Sequence, residues 1–302
     1  SNNAKGSTVY VTLEPCAHTG KTPSCAKHLI DAGVKRVVIA TIDPDNRVSG
    51  KGMQLLKDAG IEVTLGILKK EADESHAGFF SRINKKRPFI SLKIATSLDG
   101  RIATQTGNSK WITGVDSRHY VHYLRATHDA VLVGRGTVEA DNPSLNIRGL
   151  GDKITSPVRI VIDSNVSMDN NSFLASSAKV SPVWICHADG ANFNKISKTG
   201  AISIPCKRNK DGIDLLDAMK NLAQNGLTRI LCEGGGKLGA ALLKENLVDQ
   251  LIIMQAGVAI GSEGTAAIGK MDINNLQDAP NFKMKETRKI GNDILSIWSR
   301  TT

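Results

Sequence analysis

Aromatic residues make up only 4% of the chain, and its Lys and Arg are spread along the sequence rather than gathered. Nucleic-acid binders concentrate charge in patches beside aromatic platforms. Nucleic acid is therefore not the expected partner, despite a formal net charge of +10. That charge reads either as a solvated surface or as attraction for a small phosphorylated ligand. No run of about 20 apolar residues is present, so no transmembrane helix and no membrane partner are expected. A signal-peptide pattern is also absent. The five cysteines, an odd number, are irregularly spaced. A disulfide framework is thereby excluded, and a reducing compartment, the cytoplasm, is expected. Cys186 in "VWICH" and Cys232 in "RILCEGG" lie in apolar runs and read as plain buried residues. There is no internal repeat, low-complexity tract or coiled-coil heptad.

What is present is α/β alternation over 302 residues, enough for two domains. "STVYVTL", "KRVVIATIDP" and "IEVTLGIL" read as strands. "KTPSCAKHLIDAG", "GKGMQLLKDAG" and "KKEADESHAGFFSRIN" read as helices, with Gly33 and Gly60 as stop signals. Strands separated by helices imply a parallel sheet covered by helices. The opening "SNNAKGSTVYVTL" enters a strand almost at once, so the chain is expected to begin inside a domain. "NKKRPF" breaks the pattern, because Pro88 cannot continue a helix and restricts Arg87. Domains 1–86 and 87–302 are expected. The second shows strand signals from "FISLKIATSL" to "DILSIWSR", and the last two follow the final helix. A mixed sheet with an antiparallel edge is the expectation.

Four stretches carry chemistry. "TLEPCAHTGKTPSC" places Cys16 in a turn and Cys25 at a helix start, where the helix N-terminus lowers a thiol pKa. Zinc deaminases use two such thiolates with an upstream His-x-Glu. "SLDGRIATQTGNSKWITG" carries Ser109 and Trp111, the latter either a core plug or a platform for a flat ring. "LRATHDAVLVGRGTVEADNPSLNIR" carries Arg125, Thr137, Asp141, Leu145 and Arg148. Arg125 is either a phosphate fork or part of a solvated face, and Asp141 either holds a ribose hydroxyl or makes a turn. "RILCEGGGKLGAALL" carries Glu233, which either meets a ligand or caps the following helix, and three glycines. The glycines either offer backbone N–H groups to a phosphate or serve a loop that needs positive φ.

In this order, the stretches resemble the bifunctional riboflavin-biosynthesis deaminase/reductase family. The resemblance implies a cytidine-deaminase-like three-layer domain, here truncated, followed by a dihydrofolate-reductase-like mixed-sheet domain. The implied chemistry is zinc-dependent deamination of a phosphoribosylamino-diaminopyrimidinone. NADPH-dependent reduction of the ribosyl group to ribityl follows. Carried over by motif, Cys16 and Cys25 would ligate zinc. Ala95, Trp111, Thr137, Asp141, Ser164 and the run Gly235, Gly236, Lys237, Leu238, Gly239, Ala240 and Ala241 would bind NADPH. Ser109, Arg125, Leu145, Arg148 and Glu233 would bind the phosphoribosyl pyrimidine. None of the seven histidines begins a His-x-Glu triplet or precedes Cys16. The third zinc ligand and the catalytic Glu are thus expected upstream of residue 1, and only the reductase is expected to work in this chain. His18 is read as contacting substrate or solvent. The alternatives are a reductase-only enzyme with a relic front domain and a basic zinc module that binds RNA. A homodimer is the expected assembly.

Overall fold

A computed structural model describes residues 4–20, 22–151 and 154–301. The chain divides into two compact units, Ser1–Lys86 and Arg87–Thr302.

In the first unit, β1 (Thr8–Val11), β2 (Arg36–Ile39) and β3 (Glu62–Leu65) form a parallel sheet in that order. Between them run α1 (Cys25–Asp31) and α2 (Lys51–Asp58). Gly33 (φ 66°) ends α1, its N–H bonding to the Ile30 carbonyl. Val37 and Ile39 of β2 meet Ala26 of α1 and Leu56 of α2, all fully buried. Each such aliphatic side chain contributes about 1.5–3 kcal/mol. The long helix expected after β3 is two helices, α3 (Lys69–Ser75) and α4 (Ala77–Lys85). His76 breaks it at φ −89°, ψ 6°, and its Nε2 shares a hydrogen bond with Thr12 Oγ1 just past β1.

The second unit opens with β4 (Phe89–Thr96), β5 (Arg101–Ala103), α5 (Val115–Ala126), β6 (Ala130–Gly134), α6 (Arg135–Asp141) and β7 (Val158–Ile162). It continues with α7 (Phe173–Ser176), β8 (Val183–Ala188), α8 (Asn194–Ser197), β9 (Ile202–Cys206) and the ribbon β10 (Arg208–Asn209) and β11 (Gly212–Ile213). The last elements are α9 (Leu215–Gln224), β12 (Arg229–Cys232), α10 (Gly236–Lys244), β13 (Gln250–Gln255), β14 (Thr265–Ala266), β15 (Phe282–Ile290) and β16 (Asp293–Arg300).

Nine of these strands form one sheet in the order β15-β16-β13-β4-β12-β6-β7-β8-β9. From β13 to β9 the pairs are parallel, while β16 runs antiparallel to β13 and β15. Strand β6 shows why the central strands read as unbroken apolar runs. Its Ala130 and Leu132 face α9 residues Met219 and Leu222, and its Val131 and Val133 face α7 residues Leu174 and Ala175. Both faces are covered, so alternation disappears. Arg87 clamps the start of this unit with a two-pronged bond to buried Asp249 (2.6 and 2.9 Å). The same carboxylate accepts the Ile90 N–H.

Candidate active site

The parallel strands β12 and β6 end side by side, and their carboxyl ends are where an α/β sheet opens its ligand crevice. A cavity of about 350 Å³ lies there. It gathers eight of the residues singled out from sequence: Ser109, Trp111, Arg125, Thr137, Asp141, Leu145, Arg148 and Glu233. Trp111 is 69% exposed, with the Arg118 guanidinium 4.7 Å from its ring centre. It is an open platform, not a core plug. Leu145 is buried and takes a left-handed conformation (φ 56°), which turns the chain so that Arg148 also lines the cavity. The α5 end of the site is pinned from a distance: buried Asp293, at the start of β16, accepts the Gly114 N–H (2.7 Å) and the Ser117 hydroxyl (2.5 Å).

Arg125 is neither a free fork nor a solvated residue. Its Nε and Nη2 grip the Glu233 carboxylate at 2.6 and 3.0 Å, and its Nη1 holds the Asn146 carbonyl at 2.8 Å. Burial opposes ionisation of Glu233, but the Arg125 charge and fork, with Lys93 and His122 behind them, leave its pKa lowered. Lys93 belongs to the same cavity. Burial lowers its pKa, with Arg125 adding to the effect and Glu233 opposing it. His122 also lines the cavity, and its Nδ1 accepts the Arg148 N–H at 3.1 Å.

Sequence reading missed Lys93, Lys110, Arg118 and His122, all lining residues. The signals were there. Lys93 interrupts the apolar run "SLKIAT", and a Lys in a buried strand is costly unless a charge answers it. Residues 118, 122 and 125 follow i, i+4, i+7 spacing and so share one helix face.

A second cavity of about 570 Å³ is lined by Ser164, Lys237, Leu238, Ala240 and Ala241 with Lys270 and others. The glycine run lies between Glu233 of the first cavity and Lys237 of the second in sequence. None of Gly234, Gly235 and Gly236 has positive φ, so the conformational explanation does not hold for them. Close approach explains two of them: a Cβ on Gly236 would lie 2.7 Å from the Ala266 carbonyl oxygen, and one on Gly234 2.7 Å from Leu238 Cδ2. Gly235 caps α10 with no side-chain partner for the helix end, and its own N–H bonds to Thr137 Oγ1 at 3.2 Å. Gly239 packs on Leu92, and Ala95 sits on β4 beside Met254. Gly235, Gly236, Gly239 and Ala95 are not among the residues lining either cavity. Lys237, Lys244 and Lys270 line the second cavity together with Ser164 and the carboxylates of Asp211, Glu245 and Asp272.

In the first unit the loop between β1 and α1 brings Cys16 and Cys25 together. The Cys25 N–H points at Cys16 Sγ (3.3 Å), and Ser24 donates to the Cys16 carbonyl (2.7 Å) while capping α1 through Lys27 N–H. Glu14 is buried and accepts the N–H groups of Gly50 (2.9 Å) and Met53 (3.0 Å) at the start of α2. Gly52 is obligatory there, since a Cβ would meet the Pro15 oxygen at 1.8 Å. The Cys25 pKa is raised, through its interaction with the Cys16 thiol and then burial, so the expected lowering by the helix start is overridden. Among the described residues no third His, Cys, Asp or Glu completes a metal-binding group. Two thiols alone do not make a catalytic zinc site. Cys186, Cys206 and Cys232 are free and buried.

Two family models match the chain: the cytidine and deoxycytidylate deaminase zinc-binding region over residues 1–41 and the RibD C-terminal domain over residues 88–296. The riboflavin biosynthesis protein RibD of Bacillus amyloliquefaciens is 38% identical over 96% of the chain and 78% of its own length. That of Escherichia coli K12 is 36% identical over 96% and 81%. The chain belongs to the RibD family. The solved structure of Acinetobacter baumannii RibD covers 100% of the chain at 34% identity, with a TM-score of 0.89 over 83% of that chain. A Thermotoga maritima structure titled a diaminohydroxyphosphoribosylaminopyrimidine deaminase/5-amino-6-(5-phosphoribosylamino)uracil reductase covers 98% at 30% identity, with a TM-score of 0.84 over 80% of that chain. The fold class is thus a deaminase zinc-binding region followed by the mixed-sheet RibD C-terminal domain. Within this RibD-family chain, the reductase domain is matched in full and the deaminase region only in part. No helix among the described residues is long and apolar enough to cross a membrane.

Proposed function

We propose that residues 87–302 reduce 5-amino-6-(5-phosphoribosylamino)uracil, or a close phosphoribosylamino-pyrimidine, with NADPH in riboflavin biosynthesis. The observation that carries this reading is a pair of cavities on this unit, one with a Lys–Glu–Arg cluster and the other lined by Lys237 and Leu238 in the first turn of α10. Reduction of the ribosyl group adds a hydride at C1′, breaks C1′–O4′ and adds a proton at O4′. NADPH, when bound, supplies the hydride. Ser164, Lys237, Leu238, Ala240 and Ala241 would hold its phosphates, and Thr137 and Asp141 its ribose. Arg148 and Ser109 take the substrate's 5′-phosphate, since Arg125 is committed to Glu233. Trp111 offers its open face to a flat ring. Lys93 Nζ, its pKa lowered by burial against the opposing pull of Glu233, carries the proton destined for O4′. In the first unit, Cys16 and Cys25 would be two zinc ligands of a deaminase whose His-x-Glu element is not among the 302 residues. A cytoplasmic homodimer completes the reading.

Arg148→Ala should raise KM for the phosphorylated substrate far more than for its dephosphorylated analogue. Equal effects on the two would reject the phosphate role.

A further inference from the structure

We propose that neutral His122 is a positioning residue that fixes the backbone of Arg148 and thereby makes substrate affinity sensitive to pH. The proposal rests on the reading of Arg148 as the phosphate-binding group.

His122 Nδ1 accepts the Arg148 N–H at 3.1 Å. A neutral imidazole that accepts at Nδ1 carries its proton at Nε2. Protonation would place a second N–H at Nδ1, facing the Arg148 N–H. The bond would then be lost and two donors would oppose each other. Arg148 sits at the end of a short loop held at Leu145 by burial and at Asn146 by Arg125 Nη1. His122 is the tie observed at Arg148 itself.

The surroundings favour the neutral ring. On its own helix, His122 lies between Arg118 and Arg125, which share its face and its cavity. From the facing loop comes Arg148, from β4 comes Lys93 and from the 109–111 segment comes Lys110. Against them stand Glu233, after β12, and Asp141, on α6. Burial first, then Arg125 and Arg148, lower the His122 pKa, while Glu233 and the Asn146 carbonyl act the other way. The ring is therefore neutral at pH 7 and titrates below its ordinary value of about 6.5.

The test is KM and kcat for the phosphorylated substrate from about pH 8 down to about pH 5, around the histidine range. Wild type is compared with His122→Asn, which keeps an acceptor near the Nδ1 position but has no titrating ring, and with His122→Ala and Arg148→Ala. The substrate phosphate's own second ionisation near pH 6 acts on every variant alike, so the ratio of wild-type to His122→Asn KM is what counts. The ratio should climb on acidification, with kcat much less affected. His122→Ala should raise KM at neutral pH by roughly fivefold, the equivalent of one net hydrogen bond. NADPH affinity, read separately, reports whether each variant is folded. A pH-independent ratio, or a KM that falls on acidification in wild type alone, overturns the proposal. If Arg148→Ala raises KM while His122→Ala does not, this inference fails alone. If Arg148→Ala has no effect, the reading of Arg148 fails.

Discussion

Replacing Arg125 with Met should destabilise residues 87–302 strongly, and the reason lies in what is left behind. The Arg125 and Glu233 side chains are only 11% and 10% exposed, and their bond is two-pronged. Removing the guanidinium leaves a nearly buried carboxylate without its two-pronged partner, with Lys93 and His122 still nearby. Breaking such a pair from one side costs about 3–5 kcal/mol. The slight remaining exposure argues for the lower end, about 3 kcal/mol, which for a unit of this size lowers Tm by roughly 6–12 °C. Removing both charges should cost less, because no orphan remains, so Arg125→Met/Glu233→Gln should be more stable than Arg125→Met. The pH dependence has a definite sign. The folded Glu233 pKa is depressed, so the pair's contribution is present above the unfolded carboxylate value of about 4.3. It is lost as pH falls through the folded value. The deficit of Arg125→Met should therefore be larger at neutral pH than in acid. Tryptophan fluorescence during urea unfolding reads this unit alone, since Trp111, Trp184 and Trp298 all lie in it. A loss below about 1 kcal/mol, the range of an exposed pair, or a double variant no better than the single, would refute the reasoning.

Gly236→Ala places a methyl group 2.7 Å from the Ala266 oxygen. It should weaken NADPH binding by at least tenfold, the equivalent of about 1.4 kcal/mol, in a fluorescence titration; unchanged affinity would mean that the 266–269 segment yields freely. Asp293→Ala removes two hydrogen bonds at the start of α5 and should cost about 1–3 kcal/mol in the same urea experiment, with a rise in substrate KM through the displaced 109–114 loop. Unaltered stability would show that the carboxylate is not the helix's anchor.

The legible parts of this molecule were those where burial or backbone geometry leaves a pattern. Doubly covered strands such as "AVLV" read as apolar runs, and Gly33 marked a helix end. The glycine run was noticed, and of its two readings the positive-φ one fails. Close approach to the 266–269 backbone, which no local pattern reveals, explains Gly236, while Gly234 faces the Leu238 side chain. Strand β15, "FKMKETRKI", was invisible because most of its side chains are exposed. Its pairing with β16 holds it along its length, and pairing is a property of the partner. The helix α6 left no helical signal in the sequence, since its Gly136 and Thr137 are poor helix formers. In the site, residue types were legible and partnerships were not. Arg125 was read as a free fork or a solvated residue, whereas Glu233, 108 positions away in sequence, occupies it. Lys93 was passed over because it lies inside a strand whose neighbours are apolar. The metal half shows the converse: Cys16 and Cys25 were expected to act together, and the loop does bring them together.

The central claim is that this chain moves a hydride from NADPH to a phosphoribosylamino-pyrimidine. The most direct measurement incubates the protein with 5-amino-6-(5-phosphoribosylamino)uracil and NADPH carrying deuterium at the transferable nicotinamide position. The account predicts oxidised cofactor and a ribitylamino product in equal amounts, the product bearing the deuterium at C1′. A folded protein that binds both molecules and transfers no deuterium to that carbon would contradict it.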